Sequence, residues 1–340
     1  MTGNMEVPAG RMRSTVLGLS RKQWRWLGLL GLVTVAVGLP FVMEGYRTFQ
    51  FTLTLAYAIA VLGLNILTGY NGQISLGHGA FYAVGAYTSA ILMNLWGVPY
   101  WATVPVAGAI SLAAGFLFGM PALRLQGLYL ALATFALAVA TPQLLKLHAL
   151  EQWTGGSQGI VIIKPDAPFG LPLTQDQWLY FFTLAITVVM FVVARNLLRG
   201  RTGRALLAIR DHELAAQVMG INTALYKSGA FGVSAMFTGV AGALGAIAVQ
   251  FVAPDSFNFF LSIAFLVAMI VGGLATISGA IFGALFIVFV PNLAGNISQA
   301  APWAIYGVFV ILFMYLMPYG LLGLLRRLVT RFRTVASGAD

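Results

Sequence analysis

The sequence predicts an all-α fold, a polytopic transmembrane helical bundle of about ten spans with glycine-rich discontinuous segments. Three observations lead to this prediction: the scarcity of charge, repeated apolar runs of membrane-crossing length, and a one-sided distribution of Lys and Arg. Hydrophobic residues make up 59% and charged residues 8% of the 340 residues, and the mean hydropathy is +0.88. Soluble domains carry about 25% charged residues, so this chain could not cover its own surface in water. Lipid must therefore be its solvent over most of its length.

Ten apolar runs are candidates for membrane spans, since a helix needs roughly 20 apolar residues to cross the hydrocarbon core. They lie at 25–43, 48–68, 75–93, 101–120, 126–146, 178–196, 228–250, 259–276, 279–296 and 302–319. The first run follows basic residues, as a signal peptide does, but it is too long for one and many similar runs follow. We therefore expect a tail at 1–24, a single transmembrane domain at 25–320 and a basic tail at 321–340.

The basic residues test this topology, because cytoplasmic loops carry the Lys and Arg excess of a membrane protein. With the N-terminus inside, all but three of the 19 Lys and Arg residues fall on the cytoplasmic side, and the exceptions are Arg47, Lys146 and Lys164. Both termini are then cytoplasmic. The net charge of +10 marks the inner surface, so a nucleic-acid partner is not expected. The chain has no cysteine, which excludes disulfides and thiolate metal sites.

Two hydrophilic segments interrupt the spans. The outer one, 147–177, is rich in Gly and Pro, which indicates a loop; it could cover a pore mouth, face a partner, or be a tolerated surface loop. The inner one, 197–227, contains a Pro-free, Ala- and Leu-rich stretch at 203–220 that predicts a helix ending at Gly220. In helical projection one weak apolar stripe emerges, with Arg210 inside it: Leu207, Leu214, Val218 and Ile221. Such a short mixed helix suits docking on a cytoplasmic protein better than lying in lipid.

The densest motif lies at 67–87, where the second span should meet the third, and it holds Gly69, Gly72, Gly77, Gly79 and Gly85. Interrupted backbone at membrane depth survives only when it is buried in protein or lines a water-filled cavity, and discontinuous helices often form transport sites. One interpretation is that polar side chains here line a solute path or its inner gate: Asn71, Gln73, Ser75, His78 and Tyr82. The other is an ordinary turn with close packing through small residues.

His78 could relay protons, but no carboxylate lies near it in sequence, which favours a neutral structural histidine. The other glycine-rich runs, 239–246 and 272–284, favour helix packing over solute contact. No metal-ligand spacing, phosphate loop or pair of acidic residues within a span is present, so we expect neither an enzyme nor a metal site. Residues 211–213 (Asp-His-Glu) are consecutive on the expected helix and point in different directions, which argues against a shared ligand.

Several motifs, in order, resemble the membrane permeases of ATP-driven importers for branched-chain amino acids, and among these the LivM-like subunits. The motifs lie at Asn71–Tyr87, Gly127–Thr134, Thr154–Gly159, Gly203–Asn222 and Gly272–Gly283. Together they cover roughly residues 50–320. The resemblance implies a bacterial cytoplasmic (inner) membrane location and transport of branched-chain or other hydrophobic amino acids. Similar permeases are associated with urea and short amides, which is the alternative substrate class.

The resemblance also implies a mechanism and partners. The residues at 213–220 are similar to the loop by which importer permeases dock on their ATPase, and this implies coupling roles for Arg204, Arg210, Asp211, Glu213, Ala216 and Gly220. The expected partners are a LivH-like second permease, two cytoplasmic ATPase subunits, a periplasmic or lipid-anchored solute-binding protein, and membrane lipid. ATP and magnesium would bind the ATPases, so we expect no cofactor on this chain.

Three other classes of protein are alternatives to the importer. A secondary transporter normally needs coupling carboxylates at mid-membrane, and the acidic residues here lie in loops or near span ends. A passive channel for a small polar solute is compatible with the composition, but the inner docking helix favours the importer. A membrane enzyme has no visible site.

Overall fold

The computed structural model describes residues 31, 34–125, 127–297, 302–316, 320, 321 and 323. The chain divides into two compact units, 1–44 and 45–340. In the first unit, residues 34–42 are helical. Residues 25–30, 32 and 33 of the predicted first span, 25–43, and nearly all of the two predicted tails lie outside the described residues. Everything that follows concerns the second unit.

The second unit is built almost entirely from helices. These are α1 (Gly45–Leu64), α2 (His78–Trp96), α3 (Tyr100–Ala122), α4 (Leu128–Leu145), α5 (Gln175–Arg199), α6 (Arg201–Asp211), α7 (Glu213–Val218), α8 (Thr223–Val249), α9 (Phe259–Gly272), α10 (Gly279–Ile297) and α11 (Pro302–Leu316). Helix α1 continues into a π-helical turn at Asn65–Tyr70. Between α4 and α5 lies a one-turn helix, Glu151–Thr154. Single 3₁₀ turns occupy His148–Leu150, Gly156–Gln158, Pro168–Gly170 and Pro254–Phe257.

The prediction of an α-helical membrane protein is confirmed, whereas the count of about ten spans is not. Among the described residues, six helices are long and apolar enough to cross a bilayer, at Gly45–Tyr70, Tyr100–Ala122, Leu128–Leu145, Gln175–Arg199, Thr223–Val249 and Pro254–Gly272. Helix α2 is long enough at 19 residues, but it carries polar groups that neighbouring helices cover. Helices α10 and α11 coincide with predicted spans, but the apolar stretch of α10, Gly279–Gly295, and the 15 residues of α11 are short.

Helix α8 lies at the centre of the bundle and packs against α1, α2 and α3. Its glycines make this possible, because small residues let helix backbones approach closely. A Cβ added at Gly242 would lie 2.0 Å from the carbonyl oxygen of Tyr82 on α2, and one added at Gly85 of α2 would lie 2.0 Å from the carbonyl oxygen of Gly239. The prediction that residues 239–246 serve helix packing is therefore confirmed.

The prediction of a single inner helix at 203–220 is wrong. The chain forms two helices, α6 and α7, separated by His212, whose backbone is extended at φ −159° and ψ 94°. A helical projection cannot be continued across such a break, so the predicted stripe does not exist. Ile209 is buried on α6, whereas Leu214 and Val218 of α7 are exposed. The prediction that Gly220 stops the helix is confirmed, since α7 ends at Val218 and Gly220 has φ +83°.

Candidate functional site

The glycine-rich motif forms a break between two buried helices. After the π-helical turn Asn65–Tyr70, residues 71–77 have no helical structure, and α2 begins at His78. The break is wound tightly: the Thr68 hydroxyl donates to the Gln73 carbonyl at 2.9 Å, and the Gln73 N–H donates to the Leu67 carbonyl at 3.2 Å. The five predicted path residues are all buried: Asn71, Gln73, Ser75, His78 and Tyr82. The break thus turns its polar side chains into the protein interior, whereas Gly72 and Ile74 between them are exposed.

His78 joins the break to the central helix α8. Its Nδ1 lies 3.0 Å from the Ser75 hydroxyl, and its Nε2 lies 2.6 Å from the Ser234 hydroxyl. Ser234 in turn donates to the carbonyl of Gly63 at 2.6 Å. Because a hydroxyl carries one proton, Ser234 must accept from Nε2–H, and Nδ1 is left to accept from Ser75. The hydrogen bonds thus run in one direction, from Ser75 through a neutral His78 imidazole and Ser234 to the Gly63 carbonyl. This supports the structural interpretation of His78.

Replacing Ser234 by alanine is expected to destabilise the protein, because the His78 Nε2–H would be left buried without a partner and the Gly63 carbonyl would lose the donor on α8. Leaving such groups unpaired costs about 1–3 kcal/mol. The matched control is Ser228→Ala on the same helix, because the Ser228 hydroxyl donates only to the Ala224 and Leu225 carbonyls of its own helix. Thermal unfolding in detergent compares the two variants. Equal melting temperatures for both would contradict this account of His78.

The amide groups around the break already have partners. The Leu76 N–H donates to the Thr134 hydroxyl of α4 at 2.9 Å, and the Gly79 N–H donates to the Ser262 hydroxyl of α9 at 2.8 Å. The Gly77 N–H donates to Ser75 Oγ at 3.3 Å. These three amides are therefore not available to replace the hydration of a solute in this conformation.

A cleft of about 210 Å³ opens beside the break, and two of the predicted path residues, Asn71 and Gln73, line it. Ser75, His78 and Tyr82 do not. Asn71 Nδ2 donates to Gln73 Oε1 at 2.7 Å, whereas Asn71 Oδ1 is buried and has no hydrogen-bond partner among the residues that the structure describes. The other walls come from α4 and the residues before it, from α6 and α7, and from the start of α8.

Arg210 connects the predicted coupling residues to the break. Its Nη1 donates to the Gly69 carbonyl in the π-helical turn at 2.9 Å, while Nε and Nη2 donate to Asp211 Oδ1. Gly72, at φ +76°, lies directly against the aliphatic part of Arg210, because a Cβ there would come within 2.8 Å of Arg210 Cγ. On α7, Glu213 Oε1 accepts from Lys227 Nζ of α8 at 2.5 Å. The structure thus brings two predicted path residues, Asn71 and Gln73, together with two predicted coupling residues, Arg210 and Glu213, around one cleft.

The remaining coupling residues fall in different surroundings. Arg204 is exposed, Ala216 is buried and Gly220 follows α7. Sequence reasoning missed Asn65, whose side chain accepts from the Ala275 N–H at 2.9 Å and donates to the Thr276 carbonyl at 2.8 Å. It also missed Lys227 as a partner of Glu213. An asparagine inside an apolar run and a lysine at the head of one were the available signals.

Comparison with known proteins assigns the chain to a family. The family described as the permease component of the branched-chain amino acid transport system matches residues 47–317, which is most of the chain and includes every predicted site residue. This chain belongs to that family.

Individual relatives of this permease family refine the assignment. The high-affinity branched-chain amino acid transport system permease protein LivM of Salmonella typhimurium is 34% identical over 323 residues, covering 88% of this chain and 75% of the relative. LivM of Escherichia coli gives the same values. The permease protein LivH of Salmonella typhimurium is 25% identical over 291 residues, covering 80% of this chain and 92% of the relative. The chain is therefore more similar to these LivM proteins than to this LivH. No solved structure matches it at a significant level.

The carboxylates of this permease lie away from the middle of the helices. Between residues 45 and 297 they occupy helix ends or connections, at Glu151, Asp166, Asp176, Asp211, Glu213 and Asp255. Asp255 and Asp176 accept from Lys146 and Lys164, at 2.6 and 2.5 Å. Carboxylates that couple ions to transport belong at mid-membrane, so the positions in this part of the chain do not favour a secondary transporter.

Proposed function

We propose that this chain forms one half of the membrane path of an ATP-driven, binding-protein-dependent importer for branched-chain or other hydrophobic amino acids. A LivH-like permease would form the other half. Two cytoplasmic ATPases would bind ATP and magnesium, and this chain would hydrolyse none. Family membership supports the substrate class, and the occurrence of both LivM and LivH permeases among the relatives supports a permease pair. The observation that carries the mechanism is the contact of Arg210 with the break.

The proposed topology places the segment 197–227 and both termini in the cytoplasm and the segment 147–177 outside. We take α2, α10 and α11 to cross the membrane as well, since they lie alongside the six longer spans and their flanks pack on neighbouring helices. The outer connection is held to the segment that follows α8, because strand β1 (Ile160–Val161) pairs antiparallel with β2 (Phe251–Val252). Such a fixed outer surface suits contact with a soluble binding protein.

The docking surface for the ATPase would be α7. Leu214 and Val218 of this helix are 70% and 87% exposed, and Met219 directly after it is 82% exposed. The charge distribution favours a cytoplasmic position for this segment. Apolar side chains exposed to water in a cluster indicate a protein partner. When the ATPases close on ATP, they would move α7 and α6 together.

Two contacts would carry this movement into the membrane. Arg210 on α6 holds the Gly69 carbonyl of the π-helical turn, and Glu213 on α7 holds Lys227 at the start of α8. A shift of the docked helices would therefore act on the break and on the central helix. Movement of the break could expose Asn71 and Gln73 to the path. Asn71 and Gln73 would thus line the path, and Ser75, His78 and Tyr82 would support the wall of the path.

Replacing Val218 by glutamate is expected to lower ATPase binding by about tenfold or more, because a charge would be buried in an apolar interface without a partner. The measurement is the amount of ATPase that co-purifies with the permease pair in detergent. Ile163→Glu is the matched control, because Ile163 is equally exposed at 87% and lies in the outer connection. Full ATPase retention by the Val218 variant would contradict docking at α7.

A further inference from the structure

The cleft beside the break combines groups that match the two charged ends of an amino acid. Arg210 and Lys227 supply cations, and Glu213 supplies a carboxylate. Lys227 uses one N–H for Glu213 Oε1, and the second oxygen of Glu213 has no hydrogen bond of its own among the described residues. Because an ammonium carries several donors and a carboxylate several acceptor positions, both groups retain capacity for a further ligand.

The Asn71 side chain at the edge of the cleft also indicates a ligand. Asn71 is 97% buried, with a relative exposure of 3%, and its Oδ1 has no partner among the described residues. A buried polar atom without a partner is rare in native proteins and calls for an explanation. An acceptor of this kind is complemented by an N–H donor on a ligand, such as an ammonium group.

The cleft is lined mainly by polar groups, and three aliphatic side chains add a smaller apolar wall. These are Leu125, Leu130 and Ile209, of which Leu130 and Ile209 are largely buried in the bundle. In a small-molecule site the polar groups fix the orientation of the ligand, and the apolar wall contacts its side chain. The volume of about 210 Å³ suits a single amino acid and excludes a folded protein segment.

From these observations we propose that the cleft binds one hydrophobic amino acid in its zwitterionic form. The carboxylate binds Arg210 and Lys227, and the ammonium binds Glu213. A rotation of the Asn71 side chain brings its buried Oδ1 to the ammonium, and the aliphatic side chain contacts Leu125, Leu130 and Ile209. The proposal rests on the importer function proposed above. Because Arg210 and Glu213 also carry the coupling contacts, an amino acid bound here holds the coupling segment against the break. Solute accumulated in the cytoplasm would thereby slow further uptake.

The test uses the complete complex of both permeases and both ATPases, with L-leucine as the probe. Binding is measured by calorimetry in detergent without binding protein, for the natural chain, Leu125→Trp, Lys227→Met and the control Leu128→Trp. The tryptophan at 125 fills the cleft without removing a charge, whereas Leu128 is 74% exposed and does not line the cleft. Two analogues, 4-methylpentanoate without the ammonium and isopentylamine without the carboxylate, test each charged end.

We expect leucine to bind the natural complex and the Leu128 variant equally. It should bind the Leu125 and Lys227 variants at least about tenfold more weakly, because the tryptophan fills the cleft and Lys227→Met removes a partner of the carboxylate. Neither analogue should compete with leucine. In vesicles loaded with leucine, initial uptake should fall relative to empty vesicles, and the Leu125 variant should lose this inhibition. Leucine binding that is unchanged by both cleft variants, or competition by 4-methylpentanoate alone, would overturn the proposal. Failure of the importer function is a separate result, since empty vesicles would then show no uptake at all.

Discussion

Replacing Gly242 by alanine is expected to destabilise this permease strongly and to lower its melting temperature. The added Cβ would lie 2.0 Å from the Tyr82 carbonyl oxygen and 3.0 Å from the Ala86 nitrogen. Both are backbone atoms of α2, so no side-chain rotation can relieve the clash and the two helices must separate. Overpacking a core costs about 1–3 kcal/mol and sometimes more, and here the strain falls on the central helix. Thermal unfolding in detergent and the yield of monodisperse protein measure the effect.

The control for this variant is Gly229→Ala on the same helix. A Cβ at Gly229 would meet nothing within 4 Å, and alanine is the better helix former by about 1 kcal/mol. Its melting temperature should therefore match or exceed that of the natural chain. If both alanine variants unfold at the same temperature, the close approach of α2 and α8 is not what stabilises the bundle.

Reversing the charge at Arg210 is expected to uncouple ATP hydrolysis from uptake. In Arg210→Glu the Gly69 carbonyl loses its donor, and the new carboxylate lies next to Asp211, so the link between α6 and the π-helical turn is removed. Loss of a hydrogen bond to a charged group is worth about 1.5–3 kcal/mol, which corresponds to a fall in uptake of about tenfold or more. Hydrolysis by the assembled complex should continue, because the exposed docking side chains of α7 are unchanged.

Arg201→Glu provides the matched control, since Arg201 is exposed at the first position of the same helix and carries the same charge change. Uptake per ATP hydrolysed is measured for both variants in proteoliposomes. A ratio that falls equally in both would indicate a general effect of charge on the coupling segment. A ratio that is unchanged in the Arg210 variant would contradict the role of the Gly69 contact.

Much of the architecture could be predicted from the sequence because apolar length is a direct consequence of bilayer thickness. Helices α1 to α5 and α8 to α11 lie where apolar runs were found, and the glycine-rich motif marks the break between α1 and α2. The failures have local causes. Helix α2 is less apolar than a lipid-facing span because protein covers it. No Pro or Gly at His212 indicates the break between α6 and α7 in the sequence. The two helices contact different parts of the bundle, since Arg210 of α6 binds the Gly69 carbonyl and Glu213 of α7 binds Lys227.

The contacts inside the site were harder to foresee. The partners of the break come from distant helices: Ser234 is 156 residues from His78, and Ser262 is 183 residues from Gly79. Serine and threonine within a span usually bond to their own helix, as Thr52 and Thr187 do here. The sequence therefore locates the polar cluster, whereas only the packing of α4, α8 and α9 around the break shows which hydroxyls bond to it.

The central claim is that this chain is half of an ATP-driven amino acid importer, and uptake in proteoliposomes tests it most directly. Radiolabelled leucine flux is compared for the chain alone, for the permease pair, and for the complex with ATPases, binding protein and ATP, with urea and acetamide as competitors. We expect leucine to accumulate only in the complete system, only with hydrolysable ATP, and without competition by urea or acetamide. Leucine flux through the chain alone, or accumulation that does not depend on ATP, would contradict the claim.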